Sequence, residues 1–234
     1  MKTLLLLTAL PFAMSHGCAF GNNGSGTVIT ENRTVATFNG IGLECDANVY
    51  FTQGDEQSVK VEAEDNIMSH IITEVKDMNL EIKMDGKHIN SHEAINVYIT
   101  VKDLCRLELA GSGKMIGKSH VNCDYMALSI AGSGNITADI RSLAVKISVS
   151  GSGGLDVSGM TTSMDIKIAG SGNADAKDLQ AINSTVSLTG SGSSTINTKE
   201  ELNVSITGSG GVRYVSEPAK IKSNITGSGN VSKI

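Results

Sequence analysis

Residues 109–115 read LAGSGKM, and the triplet GSG then returns in SIAGSGNI (129–136), SVSGSGGL (148–155), KIAGSGNA (167–174), SLTGSGSS (187–194), SITGSGGV (205–212) and NITGSGNV (224–231). The first glycines are Gly111, Gly132, Gly151, Gly170, Gly190, Gly208 and Gly227, spaced by 21, 19, 19, 20, 18 and 19 residues. A flexible glycine-serine spacer has no reason to keep a period. A solenoid does, because each coil must return to the same corner.

The residues around the triplet carry a second signal. Two positions before each first glycine stand Leu109, Ile130, Val149, Ile168, Leu188, Ile206 and Ile225. Four before stand Leu107, Leu128, Ile147, Ile166, Val186, Val204 and Ser223, and six before stand Cys105, Met126, Val145, Met164, Ser184, Leu202 and Ile221. Four positions after the first glycine come Met115, Ile136, Leu155, Ala174, Ser194, Val212 and Val231. This is period-2 alternation, the mark of strands with one buried face. The triplet is then a corner with both glycines on the inward parity, where the coil leaves no room for a side chain. The expected fold is all-β, a single-chain parallel β-helix or β-solenoid with coils of about 19–21 residues. At a strand spacing of about 4.8 Å, seven coils make a rod on the order of 34 Å long. The middle serines, Ser112, Ser133, Ser152, Ser171, Ser191, Ser209 and Ser228, should point outward as a ladder. That ladder reads either as stacked hydroxyls bonding one another or as a binding row, with Asn135, Asn173 and Asn230 beside it.

Residues 28–105 read as β structure without the triplet. Strand-like alternation appears in VYF (49–51), SVKVEAE (58–64), NLEIKM (79–84) and INVYITV (95–101), and DNIMSHIITEV (65–75) suits a short helix capped by Asp65. This part should close the N-terminal end of the solenoid formed by residues 106–234, since terminal coils need polar caps. It is also the acidic part: residues 1–105 hold 7 Lys/Arg against 14 Asp/Glu. No comparable cap is visible after the last triplet, and an open coil end invites pairing with another chain, which makes a homo-oligomer an expectation.

Composition narrows the function. The net charge of −5 argues against nucleic acid. Aromatic residues make up 3% of the chain and Trp is absent, so the core must be built from Val, Ile, Leu and Ala. Residues 1–18 read as a signal peptide, with Lys2 as the positive region and Leu4–Leu10 as the apolar one. Gly17 directly precedes Cys18, as in a lipoprotein signal, although Ser15 and His16 depart from the usual residues there; ordinary cleavage nearby is the alternative. With Cys18 lipidated, residues 19–27 become a Gly/Asn/Ser tether, and the membrane is a partner through that anchor alone. Cys45, Cys105 and Cys123 remain, enough for one disulfide at most. Cys105 falls on the inward register and reads as a small buried residue.

Catalytic chemistry is not legible. GKS at 117–119 is out of register for a phosphate-binding loop, and the repeat already accounts for the neighbouring glycines. The triplets lack the Asp of calcium-binding nonapeptide coils. Asp139, Asp156, Asp165, Asp175 and Asp178 occupy no recurrent position, whereas a polysaccharide-cleaving solenoid needs carboxylates converging on one face. His88, His92 and Glu93 form the one metal-like grouping, in a loop, and read as exposed polar residues. No cofactor, metal site or catalytic residue is expected, and no enzyme.

The combination of FNGIGLECDANVYFTQGDEQSVKVEAEDNIMSHIITEV, NLEIKM, INVYITVKDLCRLELAGSGKM and the later triplets resembles the family described as "putative auto-transporter adhesin, head GIN domain", found in exported Bacteroidetes proteins, over about residues 33–232. The resemblance implies a β-helix-like fold at the cell surface or in the periplasm, and it carries over no catalytic or binding residues. The expected function is an exported, lipid-anchored, non-catalytic binding module whose serine ladder engages glycan or protein at a cell surface. The alternatives are an envelope assembly subunit that stacks through coil ends and a polysaccharide-active enzyme.

Overall fold

The computed structural model describes residues 22–86, 89–91 and 93–234. Residues 1–18 with Cys18, and His88 and His92, lie outside the described residues. Five strands, Lys114–Gly132, Asn135–Gly151, Gly154–Gly170, Asn173–Gly190 and Ser193–Gly208, each carry the chain once around from one triplet to the next. They pair in parallel, coil on coil, with first glycines in register: Gly111 faces Gly132, Gly132 faces Gly151, Gly151 faces Gly170 and Gly170 faces Gly190. The fold is the expected parallel β-solenoid. Its interior is a set of aliphatic columns; Leu109, Ile130, Val149, Ile168, Leu188 and Ile206 stack with no more than 2% of their surface exposed. Where the columns carry hydroxyls, these are paired inside: Thr198 Oγ1 donates to Ser184 Oγ at 2.6 Å and Ser194 Oγ to the Ala174 carbonyl at 3.1 Å. No helix among the described residues is long and apolar enough to cross a membrane.

The two glycines of the triplet do different things, which the alternation alone does not reveal. The second glycine is inward and buried at 113, 134, 153, 172, 192 and 210, and a Cβ there would strike the interior; at Gly153 it would stand 2.5 Å from Ile130 Cγ2. The first glycine is not inward. It is exposed or half-exposed and adopts φ between 109° and 138° at all seven positions, a region that essentially excludes other residues. In every triplet but the last its carbonyl accepts the serine N–H of the following coil at 2.9 Å, and at Gly111, Gly132, Gly170 and Gly190 also the N–H of that coil's second glycine at 2.9–3.1 Å. A Cβ on Gly170 would stand 2.6 Å from the Gly151 carbonyl oxygen.

The N-terminal part continues the same stack in a different chain order. Gly40–Leu43 and Asn48–Gln53 pair in parallel with Arg106–Gly111 and with the start of Lys114–Gly132. Leu43 lies opposite Leu109 and Val49 opposite Met115, so Cys45, Asp46 and Ala47 occupy the corner that GSG fills elsewhere. On the other side, Asn79–Met84 pairs with Gly40–Leu43 and Asn96–Val101 with Asn48–Gln53, again in parallel. The coil laid down first therefore lies second in space. Antiparallel strands close this end: Ile71–Lys76 lines Asn79–Met84, Ser58–Glu64 lines Asn96–Val101, and Val28–Arg33 lines Ser58–Glu64. On the first of these pairs Glu74, Lys76, Glu81 and Lys83 form a cross-strand ion cluster, in which the bonds from Lys76 and Lys83 hold the Glu74 carboxyl down at about 2. This is the charged cap that a terminal coil requires.

Three expectations need correction here. The helix spans Asp65–Met68 only, begins after Glu64 without a side-chain cap, and gives way to the strand Ile71–Lys76, because tertiary pairing with Asn79–Met84 outweighs local helix propensity. Glu64, which alternation places on a strand, is 3% exposed and accepts the backbone N–H groups of Gly26 and Glu93, so residues 22–27 of the expected tether are tied to the acidic stretch 64–66. Cys105 is half-exposed, since the neighbouring Leu104 takes the buried place at 1% exposure.

Gly111 and Gly170 share a φ near 120°, but a Cβ on Gly111 meets nothing within 4 Å. Gly111→Ala should lose about 1–3 kcal/mol from backbone strain alone. Gly170→Ala adds the clash with the coil below and should lose measurably more. Urea unfolding of the two variants checks this; equal losses would show that coil-to-coil contact contributes nothing at the corner.

Candidate functional site

All seven triplet serines are exposed on one corner of the rod. Their backbone N–H groups hold the coils together, but among the described residues no hydrogen bond reaches any of the seven hydroxyls. The stacked hydroxyls do not satisfy one another. Beside them, Ser193 Oγ donates to Asn173 Oδ1 at 2.8 Å, a side-chain bond between the polar residues that follow the triplet in adjacent coils. The serine row is thus a set of free hydroxyls repeated at about the 4.8 Å strand spacing.

A second surface lies where inward alternation breaks, between Ile140 and Val145 and at the matching places in neighbouring coils. The coils differ in length, and the register shifts between complete coils fall in mid-coil, just before this stretch or within it: between Ile116 and His120, Asp156 and Ser158, Ala176 and Gln180, and Ala181 and Asn183. The flanks of the triplet carry none. The middle of the coil absorbs what the triplet corner cannot.

A groove of about 760 Å³ runs along the rod at this second corner, spanning successive coils. Its floor is Cys123, Ser142, Thr161 and Ala181, one per coil and in register. The floor hydroxyls are committed to the backbone: Ser142 Oγ lies 2.8 Å from the Ala144 carbonyl and 3.0 Å from that of Asp124, and Thr161 Oγ1 donates to the Ser163 carbonyl at 3.0 Å. They fix the turn and leave no polar group free to face a ligand from below. The walls are apolar and open to solvent, with Leu143 62%, Met160 55% and Ile182 43% exposed. Asp124, Arg141 and Lys199 stand at the rim. Fully burying such side chains contributes about 1.5–3 kcal/mol each, so this contiguous apolar wall is the candidate binding surface of the rod. Counted back from the next triplet, Leu143, Met160 and Ile182 stand on the inward parity, so the alternation hides this surface rather than marking it.

The scattered carboxylates sort into separate columns. Asp139 bonds His120 Nδ1 at 2.6 Å and aligns with Ser158 and Asp178. Asp156 faces Asp175 in the next coil, a pairing that spacing alone hides, and Asp165 belongs to another column. Asp175 is occupied by Lys177, whose Nζ lies 2.7 Å from Oδ2 and whose backbone N–H donates to Oδ1 at 3.2 Å. Among the described residues no group of three His, Cys, Asp or Glu side chains could hold a metal ion.

Residues 37–218 match the family described as "Putative auto-transporter adhesin, head GIN domain". Among solved structures, a "putative adhesin" from Bacteroides fragilis is 24% identical, with a TM-score of 0.85 over 92% of this chain and 100% of that one. A "putative lipid binding protein" from Parabacteroides distasonis is 24% identical, with a TM-score of 0.77 over 91% and 99%. A "putative adhesin" from Parabacteroides merdae is 19% identical, with a TM-score of 0.74 over 91% and 98%. At these identities the likeness is one of fold. No curated protein matches the chain in sequence.

Cys45, Cys105 and Cys123 are free thiols. Burial, reinforced by Asp46 and Glu44, pushes Cys45 up to about 12, and burial also raises Cys123 on the groove floor. The thiolate is the reactive form, so Cys45 is held in its unreactive thiol form at pH 8. Iodoacetamide should label the half-exposed Cys105 and Cys123 in the native chain and leave Cys45 unmodified until denaturant is added. Labelling of native Cys45 at the rate of the other two, read by mass spectrometry, contradicts this arrangement.

Proposed function

The chain belongs to the head GIN domain family, and from that premise we propose that it is an exported, lipid-anchored, non-catalytic binding module that engages an elongated partner at the cell surface or in the periplasm. The observation that carries this reading is the groove at the second corner. It runs parallel to the rod, its walls are apolar and exposed, and its floor is fixed by side chains already committed to the backbone. A preformed groove spends little conformational entropy on binding. The serine row runs parallel to the groove on the other corner and offers hydroxyls without partners, so a long glycan or an extended polypeptide meets a repeated pattern from either side, with affinity summed over many weak contacts. Of the facing carboxylates Asp156 and Asp175, Asp175 is held by Lys177, which favours binding over hydrolysis.

The soluble chain from residue 19, which contains every described residue, should bind cells or a glycan array. The double substitution Leu143→Asp with Ile182→Asp should lower that binding at least tenfold without changing thermal stability. Combining Ser152→Ala, Ser171→Ala and Ser191→Ala should weaken it several-fold. Unchanged binding in the triple variant would mean that the serine row serves only the fold. If instead the wild type forms oligomers by light scattering that the groove variant abolishes, the groove is an assembly contact and the binding reading is wrong.

Anchoring is tested separately. Cys18→Ser should abolish incorporation of radiolabelled palmitate and release the chain from the membrane fraction. Retention of label or of membrane attachment in that variant refutes lipidation at Cys18.

A further inference from the structure

The chain has four Tyr and no Trp, yet two of those tyrosines are spent on an outward face rather than in the core. Tyr50, on Asn48–Gln53, and Tyr98, on Asn96–Val101, are register partners on the outer side of the N-terminal coils. Their rings stack with centroids 5.2 Å apart and planes 20° from parallel. The two outer faces of this stack are each covered by an ammonium group. Lys60 Nζ lies 4.5 Å from the Tyr98 centroid, and Lys118 Nζ lies 4.6 Å from the Tyr50 centroid. The four side chains form one row, cation, ring, ring, cation. Among the described residues neither lysine makes an ion pair, although the chain as a whole is acidic.

This row borders a cleft of about 580 Å³ that also takes in Thr52, Thr100 and Ser58, within the range of about 300–1,000 Å³ usual for ligand sites. Thr100 is the register partner of both Thr52 and Ser58, so the three hydroxyls make a second row beside the first. None of them has a hydrogen-bond partner among the described residues. Because lysines cover the ring faces, a sugar cannot stack on them. What the row presents to a ligand is two phenol hydroxyls flanked by two positive charges. Burial and then the nearby Glu62 carboxylate push the Tyr98 phenol up, so it remains a donor across the physiological range. Glu62 itself accepts from Asn96 Nδ2 at 3.2 Å and does not line the cleft.

From this geometry we propose that the Lys60–Tyr98–Tyr50–Lys118 row is a binding site for an acidic glycan, one bearing carboxylate or sulfate groups. A free inorganic anion would use one end of the row only. A polymer with separated negative charges uses both ends and lays its neutral hydroxyls along Thr52, Thr100 and Ser58. The rings hold the ammonium groups in place before the ligand arrives, so little side-chain freedom is lost on binding. The proposal rests on the reading of the chain as a binding module but not on the groove, which lies at the second corner of the later coils.

Affinity electrophoresis of the chain from residue 19 tests it, with polygalacturonate, dextran sulfate, neutral dextran and vesicles containing phosphatidylglycerol as probes. The expected result is retardation by polygalacturonate or dextran sulfate, weakening as salt is raised, and none by neutral dextran; the two acidic polymers distinguish carboxylate from sulfate. Lys60→Gln combined with Lys118→Gln should weaken it at least tenfold. Tyr98→Phe, which keeps the stack and removes one hydroxyl, should weaken it a few-fold, and both variants should melt like the wild type. The proposal is overturned if no acidic polymer retards the chain, if the double lysine variant is retarded like the wild type, or if vesicles bind in its place. Groove-dependent cell binding that persists in the face of such a failure leaves the binding-module reading intact. Retardation by acidic polymer without any cell binding supports the site and counts against the groove.

Discussion

The carbonyl of the first glycine in every triplet but the last, held out by a backbone that only glycine adopts, accepts hydrogen bonds from the next coil at about 2.9 Å, and the rest of the rod is arranged to preserve that contact. A carbonyl with two lone pairs can take two donors, and several of these glycines do so. The bond fixes the height of one coil above the next at the corner, and from there the aliphatic columns fall into register. A Cβ on any of the first glycines beyond Gly111 would push coils apart, and one on the second would push the interior apart. The Ser between them serves the stack through its backbone N–H alone, and its hydroxyl is left facing solvent.

One corner held so strictly requires another that yields. The coils vary from 18 to 21 residues, and the difference is taken up in mid-coil, mostly just ahead of the bend where Ser142 and Thr161 bond the neighbouring backbone and Leu143, Met160 and Ile182 are turned outward. Insertions there cost the stack little. Surface chemistry can therefore change at the second corner while the first stays the same, which is the division of labour that a binding scaffold needs.

Much of this was legible in the sequence because the solenoid writes the same constraint seven times. Leu109, Ile130 and Val149 recur at one offset, and their columns are where the alternation puts them. Other features were written once and so left no pattern. The CDA corner at 45–47 does the work of a triplet with none of its letters, and register against Leu109 and Met115 is what reveals it. The first glycine's outward position was hidden because parity reads inward or outward but does not read φ. The helix expected over 65–75 yielded to a strand because Ile71–Lys76 finds a partner in Asn79–Met84. Leu143 and Ile182 look like core residues by composition and are exposed only because the alternation turns over beside them. Tyr50 and Tyr98 are 48 residues apart, and nothing in either strand announces the other.

The displaced order of the N-terminal coils bears on how the molecule is made. Residues 40–53 lie between the coil of residues 79–101 and the coil that begins at residue 106, so this segment has neither neighbour when it is synthesised. It cannot serve as a template until more than fifty later residues have arrived. The three coils, with the antiparallel strands that close them, must then assemble as one cooperative nucleus with long loops to shut. Every coil after that adds to a finished edge with contacts to its predecessor alone. Folding is thus slow and collective at the capped end and sequential along the rest, so the rod grows in the direction in which the chain emerges.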